Sequence, residues 1–395
     1  MKKGEWIAAA ALKSCLLLAL FPAVCLSRDT SRLLPSNLHI HGYVKHMPSV
    51  FFIDRANTLV TGNLVHNRIN ARWDISKHMH MRVEARNRLF YGEQVKMVYR
   101  FGSYIDTYDG ILDLSHNLVD DTSVVLNVML DRLLLNWTKK KWDITVGRQR
   151  INWGVNLVWN PNDIFNAFNY LDFDYQERPG SDAVRIQYQA GTVSSFELAC
   201  KFSKTKTTQA AALMYRSNFR QYDWQCFSGM YHEDVVIGGG WAGNIKKNGF
   251  KGELSYFHPY RALKDRGVVL MSVSIDRSFK ENYFIMGSYL YNSDGSGSLN
   301  GRSGLTGAVL SVKSLMPFTH SFFGQLAKSF SPIVNGAFSI IFSPQNSSLI
   351  LLPSLETSIS NNWDMSLVSQ SFFQSTGKLY RSVGNGIYLR TRWSF

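Results

Sequence analysis

Asn385-Gly386-Ile387-Tyr388-Leu389-Arg390-Thr391-Arg392-Trp393-Ser394-Phe395 is the stretch that decides the fold. Ile387, Leu389, Thr391, Trp393 and Phe395 alternate with Tyr388, Arg390, Arg392 and Ser394. A period of two puts each set on its own side of an extended strand. The stretch therefore reads as a β-strand with one apolar face and one polar face carrying arginine.

A strand of a soluble sheet can alternate in the same way. A terminal Phe with Trp two residues before it resembles the signal that closes Gram-negative outer-membrane β-barrels and is read by the barrel-assembly machinery. On that resemblance Trp393 and Phe395 form a membrane-insertion signal, and the last strand spans the bacterial outer membrane.

The other end of the chain agrees. Lys2, Lys3 and Lys13 precede an apolar run over residues 16–24, and small residues follow, the arrangement of an export signal. Cleavage after Ser27 places Cys25 at −3 and Ser27 at −1, whereas lipidation at Cys25 wants a small residue where Val24 stands. Residues 1–27 thus read as a signal peptide and residues 28–395 as one domain. Beyond residue 27 no run approaches the roughly 18 apolar residues a spanning helix needs, so a closed barrel is the remaining way across. Composition fits: 18% of residues are charged, 13% are aromatic, and the mean hydropathy is −0.13, as expected when half of each strand faces lipid and half faces water. At roughly 20–23 residues per tilted strand with its connection, the domain holds about 16–18 antiparallel strands in an up-and-down order. That is too few for a 22-stranded transporter with an internal plug.

Lys and Arg number 43 against 29 Asp and Glu, a formal charge of +14. Such a balance suggests nucleic acid, membrane or anionic solutes as partners, and export removes nucleic acid. The compact cluster Lys139-Lys140-Lys141 falls where a hairpin turn is expected. Elsewhere the arginines follow the strand period. Val65, Ile69, Ala71 and Trp73 oppose His66, Arg68, Asn70, Arg72 and Asp74; after a tight connection, Met81, Val83, Ala85 and Leu89 oppose His80, Arg82, Glu84, Arg86 and Arg88. In a barrel the polar face is the lumen. Arg68, Arg72, Arg82, Arg86 and Arg88 are therefore candidate pore-lining groups that select anions. The competing reading pairs them with Glu84 and Asp74, or sets them against lipopolysaccharide.

Residues 147–180 break the rhythm at a length uncommon for a plain connection. They carry Gly147-Arg148-Gln149-Arg150, then Trp153-Gly154, then Asn160-Pro161-Asn162-Asp163 and Phe165. Asn160 ahead of Pro161 reads as a cap with proline in the first turn, predicting a short helix over 162–170. The segment is a candidate for folding inward, with Trp153, Asn160, Asp163 and Phe165 in the constriction. Gly-Arg-Gln, Trp-Gly and Asn-Pro-x-Asp resemble a pattern in porin-like outer-membrane proteins related to alginate-export and substrate-selective porins. The resemblance implies a passive channel for small or charged solutes, with Arg148, Gln149, Arg150, Trp153 and Asn160 as matched positions. Against a pore-lining role, Arg148 and Arg150 pair equally well with Asp163 or Asp172. A polar run over 293–298 suits an external loop, and 304–312 reads as a strand.

Other chemistry is weaker. His39, His41, His78 and His80 gather near the first hairpin, but neither Cys nor a carboxylate cluster completes a metal set. Cys200 and Cys226 fall on strands separated by a third, about two strand spacings or 9–10 Å apart, beyond disulfide reach. Gly238-Gly239-Gly240-Trp241-Ala242-Gly243 fits a dinucleotide glycine pattern without its βαβ setting, so it reads as a strand that something approaches closely. Trp137, Trp142, Trp363, Phe372 and Phe373 suit aromatic girdles. The expected function is an outer-membrane channel for small anionic solutes, with lipid, lipopolysaccharide and the assembly machinery as partners, no catalysis and no cofactor. A homo-oligomer fits by analogy with porins. The alternative is a non-conducting barrel acting as a scaffold, an adhesin or a rim-active hydrolase.

Overall fold

The computed structural model describes residues 35–395 apart from 54–57, 107, 109, 168–169, 173–176, 206–207, 262–265, 296–310 and 377–378. The proposed signal peptide and its cleavage site lie outside the described residues. So does most of the strand expected at 304–312, whose last residue, Val312, begins a 3-10 turn, Val312–Ser314.

Among the described residues the strands are β1 (Leu38–Ile53), β2 (Thr58–Ser76), β3 (Met79–Tyr91), β4 (Ser115–Asp120), β5 (Val124–Lys139), β6 (Trp142–Gln149), β7 (Ser181–Gln189), β8 (Ser195–Lys201), β9 (Ala210–Phe219) and β10 (Tyr222–Tyr231). They continue as β11 (Asp234–Ile245), β12 (Asn248–Pro259), β13 (Val268–Ser278), β14 (Tyr283–Asn292), β15 (His320–Ser331), β16 (Val334–Ser343), β17 (Ser348–Ser360), β18 (Trp363–Thr376) and β19 (Leu379–Ser394). Every pairing is antiparallel, and each strand pairs with its sequence neighbour except at β3, which pairs with β5. The sheet closes where β1 meets β19, in the register Tyr43↔Ser394 to Phe52↔Asn385. The barrel is therefore 18-stranded, at the top of the expected range. The extra strand, β4, lies along β5 over residues 125–129, beyond the point where β6 has ended.

Closure explains the terminal alternation. Ile387 and Leu389 face outward, 43% and 40% exposed, while Arg390 points inward at 8%. Phe395 and Gly42 exchange backbone hydrogen bonds of 2.9 Å each, and the Phe395 ring stacks beside Trp393 at 5.3 Å. Phe395 thus completes the seam between first and last strands. A barrel leaves no edge of unpaired N–H and C=O groups, which a membrane would not tolerate.

The two rims differ. At the rim where Phe395 lies, the strands are joined by connections such as Lys77-His78, Lys140-Lys141, Arg220-Gln221 and Asn361-Asn362; at the other rim they are joined by segments as long as 92–114 and 293–319. Trp137, Trp142 and Trp363 stand outward near the short-turn rim, as a girdle requires. Phe372 does not: it is 4% exposed and packs in the interior, because its position in β18 shares the inward parity of Ser366, Val368 and Gln370.

Cys200 and Cys226 are both free, and β9 separates their strands. The spacing argument against a disulfide therefore holds.

A loop-lined opening in the lumen

The chain leaves β6 at Gln149, whose Nε2 donates to the Thr145 and Ala183 carbonyls at 3.0 Å each, and returns at Ser181. Between them the described residues of 150–180 fold into the lumen. Ile151, Trp153 and Trp159 are at most 1% exposed. Trp153 packs edge-on against Phe165 and Phe227, at 4.8 and 5.3 Å. Trp159 and Tyr170 both meet Phe323 of β15. An apolar loop in a water-filled pore is stable only because the wall opposite it, from β9 to β18, presents Met214, Phe257, Leu270, Ile341 and Phe372 inward. The loop and that wall form one hydrophobic core.

The loop's backbone polar groups are satisfied from the wall, as burial demands. Glu253 of β12 accepts three N–H groups: Oε1 from Val155 and Asn156 at 2.6 and 2.8 Å, and Oε2 from Asn162 at 2.9 Å. Gln225 donates to the Trp153 carbonyl at 2.5 Å, Trp153 Nε1 donates to Glu197 at 2.8 Å, and Ser255 donates to the Pro161 carbonyl at 3.0 Å. Asn156 sits between Ser272 and Ser274. Asn162 Nδ2 reaches the Gly239 carbonyl at 2.9 Å, and a Cβ on Gly240 would stand 3.0 Å from that same nitrogen. The glycine run of β11 is therefore bare wall against which the loop lies, as its reading as a closely approached strand anticipates.

The expected helix over 162–170 is absent; the described part consists of turns. The Asn160 cap is not made, its Oδ1 accepting no hydrogen bond, and Asp163 and Ile164 bond back to the Asn160 and Asn162 carbonyls in tight turns instead. The loop then continues round the lumen. Gln370 of β18 donates to the Leu171 carbonyl at 2.8 Å, Tyr43 of β1 donates to Glu177 at 2.8 Å, and Arg132 of β5 donates to the carbonyls of Glu177 and Arg178.

One opening beside the loop is off-centre. A cavity of about 400 Å³ lies between Leu157, Tyr170 and Arg178 of the loop and the β15–β19 wall, which contributes Gln325, Ser366, Gln370 and Arg390. Arg390 also donates to Glu356 at 3.2 Å. Two guanidinium groups thus face the opening against one carboxylate.

The arginines singled out in the sequence occupy several settings. Arg68 is fully buried between Glu84 and Asp131, at 2.5 and 2.7 Å. Arg72 holds Asp74 at 2.9 Å, and Arg82 stands 3.8 Å from Glu84. Arg86, 3% exposed, reaches His66 at 3.2 Å, and Arg88 donates to Asn127 at 2.9 Å. These five share the inward face of β2 and β3, with Arg68 and Arg86 opposite each other and Arg72 opposite Arg82. Arg148 is placed differently. Gly147 takes a positive φ of 115°, and Arg148 stands opposite Asp182 and Leu133 on the face that carries half-exposed Val146. Its Nε donates to Asp182 at 2.8 Å, Nη2 to the Leu112 carbonyl at 2.6 Å, and its guanidinium lies 3.6 Å from the Tyr108 ring centroid. Arg148 therefore clamps the segment before β4 to the outside of the wall and does not line the lumen. Arg150, half-buried, keeps to the loop beside Asp163. Asn160 lies against Gly154 in the buried loop.

Asp163 is 1% exposed, and its Oδ1 accepts the Trp153 N–H at 3.4 Å. Burial pushes its carboxyl up to about 7, against the opposing pull of Arg150, the Trp153 N–H and Arg178. Glu253, Gln225, Gln370, Arg178 and Arg390 are site residues that sequence reasoning missed. Arg390 shows its inward parity in the terminal alternation; nothing in the sequence says that Glu253 meets Asn162.

No family model and no curated protein matches the sequence. Solved structures do match the fold. Acinetobacter baumannii OccAB4 superposes with a TM-score of 0.59 at 9% identity, over 91% of this chain and 98% of that one. Pseudomonas aeruginosa OpdK with vanillate gives 0.56 at 9% identity, over 90% and 98%. P. aeruginosa OccD3 gives 0.52 at 8% identity, over 90% and 91%. At such identities the likeness is one of fold.

Proposed function

We propose that the protein is an outer-membrane channel for passive diffusion of small anionic solutes, narrowed by residues 150–180. The observation that carries this reading is the off-centre opening of about 400 Å³ between the loop and the β15–β19 wall, faced by Arg178 and Arg390 against Glu356. An excess of one positive charge in a narrow passage favours anions. The strand arginines contribute less, because Arg68, Arg72 and Arg82 stand beside acids. The fold neighbours support the substrate-selective porin side of the motif resemblance rather than the alginate-export side. One of them was solved with vanillate, a small aromatic carboxylate, and a solute of that chemistry suits Tyr170 and the two arginines.

Single-channel recording of the refolded chain in a planar bilayer under a KCl gradient tests the reading. Discrete openings with a reversal potential displaced toward the chloride value are expected, and Arg178→Gln together with Arg390→Gln moves that potential toward zero. A folded, inserted barrel that never conducts would refute the channel.

A further inference from the structure

The short-turn rim is basic in a way the lumen does not explain. Lys77, Lys140, Lys141 and Arg220 stand in its connections, as do Lys246, Lys247 and Lys280, against a single acid, Glu281. All are exposed. The connections at the other rim mix acids such as Asp106, Asp113, Asp121 and Glu233 among their bases. The basic turns also keep together. The β2–β3 and β5–β6 turns touch, the Thr138 N–H donating to the His78 carbonyl at 2.8 Å. From there the β9–β10, β11–β12 and β13–β14 turns continue the same arc, with only the uncharged β7–β8 connection between.

Directly above this arc, on the lipid-facing side, stand Trp73, Trp137, Trp142, Phe219, Trp224 and Phe279, between 36% and 65% exposed. Cations lean over two of these rings and over a neighbour of Trp142: Arg220 lies 5.2 Å from the Phe219 centroid, Arg277 4.7 Å from Phe279 and Lys141 6.0 Å from Tyr188. Exposed aromatics settle at the level of lipid head groups. Lys140 and Lys141, within two residues of Trp142, and Lys280, next to Phe279, stand at the level of the phosphates, and Lys77, Lys246 and Lys247 occupy the equivalent turns of the same rim. Resting on the barrel reading above, we infer that this arc, from the β2–β3 turn to the β13–β14 turn, is a docking surface for the anionic phospholipids of the periplasmic leaflet. The girdle sets the depth, and the turn lysines pair with the head-group phosphates. The positive backbone φ of Lys140, Arg220 and Lys246 fixes tight turns, so these cations are presented on rigid ends.

Tryptophan quenching in vesicles tests this with the full folded chain. Phosphatidylcholine vesicles containing either brominated phosphatidylglycerol or brominated phosphatidylcholine report which lipid sits beside the girdle tryptophans. The expected result is a preference of about fivefold for the anionic lipid, the equivalent of roughly one lysine's attraction at a charged surface. It falls to near unity at about 1 M NaCl, where the screening length is about 3 Å, and in the combined variant K140Q/K141Q/K246Q/K247Q. Inorganic phosphate does not compete. Equal quenching by both lipids in the wild type would overturn the proposal, as would a preference that survives in the variant. Binding of the wild type to isolated peptidoglycan that the variant loses, without any lipid preference, would assign the arc to the acidic cell wall instead and equally overturn it. If the variant does not fold, the salt titration of the wild type decides. Failure of the wild type to insert into any vesicle would count against the barrel reading itself, whereas insertion with equal quenching counts against this inference alone.

Discussion

Glu253 holds the loop in the lumen, and its removal separates the two forces that keep the loop there. Glu253→Ala leaves the N–H groups of Val155, Asn156 and Asn162 without their acceptor. Each buried donor left unsatisfied costs about 1–3 kcal/mol, so the variant costs the docked loop about 3–9 kcal/mol. Opposing release is the burial of the loop's large apolar side chains, Trp153, Trp159, Ile151 and Phe165, each worth about 1.5–3 kcal/mol. Their sum, about 6–12 kcal/mol, is of the same order as the polar loss, and the loop must also be ordered, so losing the three acceptor contacts shifts the balance toward release. The expected outcome is local release with the barrel intact: single-channel conductance rises, current noise increases, and trypsin cuts in the loop while the heat-modifiable band of the folded barrel persists. Glu253→Gln keeps one oxygen and the side-chain volume. It turns one amide N–H toward a donor, costs about 1–3 kcal/mol, and leaves conductance close to wild type. Wild-type conductance and protease resistance in Glu253→Ala would refute the anchoring role.

Three further outcomes follow from the same geometry. Asp163 binds its proton more tightly in the folded loop than the ordinary carboxyl value of 3.8, being pushed up to about 7. The folded state then holds more protons than the unfolded state in that window, and stability falls as pH rises from about 4 to 7; Asp163→Asn should be more stable than wild type at pH 8 in urea titrations and equal to it near pH 4, and a pH-independent difference would contradict this. Arg68→Leu strands Glu84 and Asp131 and should destabilise the barrel by about 3–5 kcal/mol, read as a lower urea midpoint, with little change in ion selectivity; a large selectivity change with unaltered stability would restore Arg68 as a selectivity group. Deleting Phe395 removes two backbone hydrogen bonds and the ring beside Trp393; assembled protein in cells should drop severalfold, measured by heat-modifiable band intensity, while refolding in detergent survives, and normal assembly would argue against an insertion signal.

The barrel was legible because its period is local. Alternation in 385–395, in β2 and in β3 states which side chains meet lipid and which meet water, and no partner need be known for that. The aromatic terminus and the absence of a long apolar run narrowed the closed sheet to one that crosses a membrane. The inward loop was legible only as an interruption. Its helix failed because Asn160 does not cap it and the segment instead lies against the wall, where Asn162 donates to a carboxylate 91 residues away; a period of two in β12 shows only that Glu253 faces inward.

Charge at the site divides in the same way. That Arg68, Arg72, Arg82, Arg86 and Arg88 share a face is a property of each strand alone. Whether Arg68 is an unneutralised pore charge or half of an ion pair depends on Asp131 from β5 and on Glu84 across the hairpin. Arg148 shows both halves: it keeps the outward parity of Ile144 and Val146, which the strand alone states, but the Asp182 carboxylate, Leu112 carbonyl and Tyr108 ring that hold it come from other segments. Side-chain direction along a strand is set by neighbouring peptide geometry and so is written in the sequence. Which opposite charge, carbonyl or ring arrives from the far side of the lumen is set by closure of the whole sheet, and only the tertiary structure decides it.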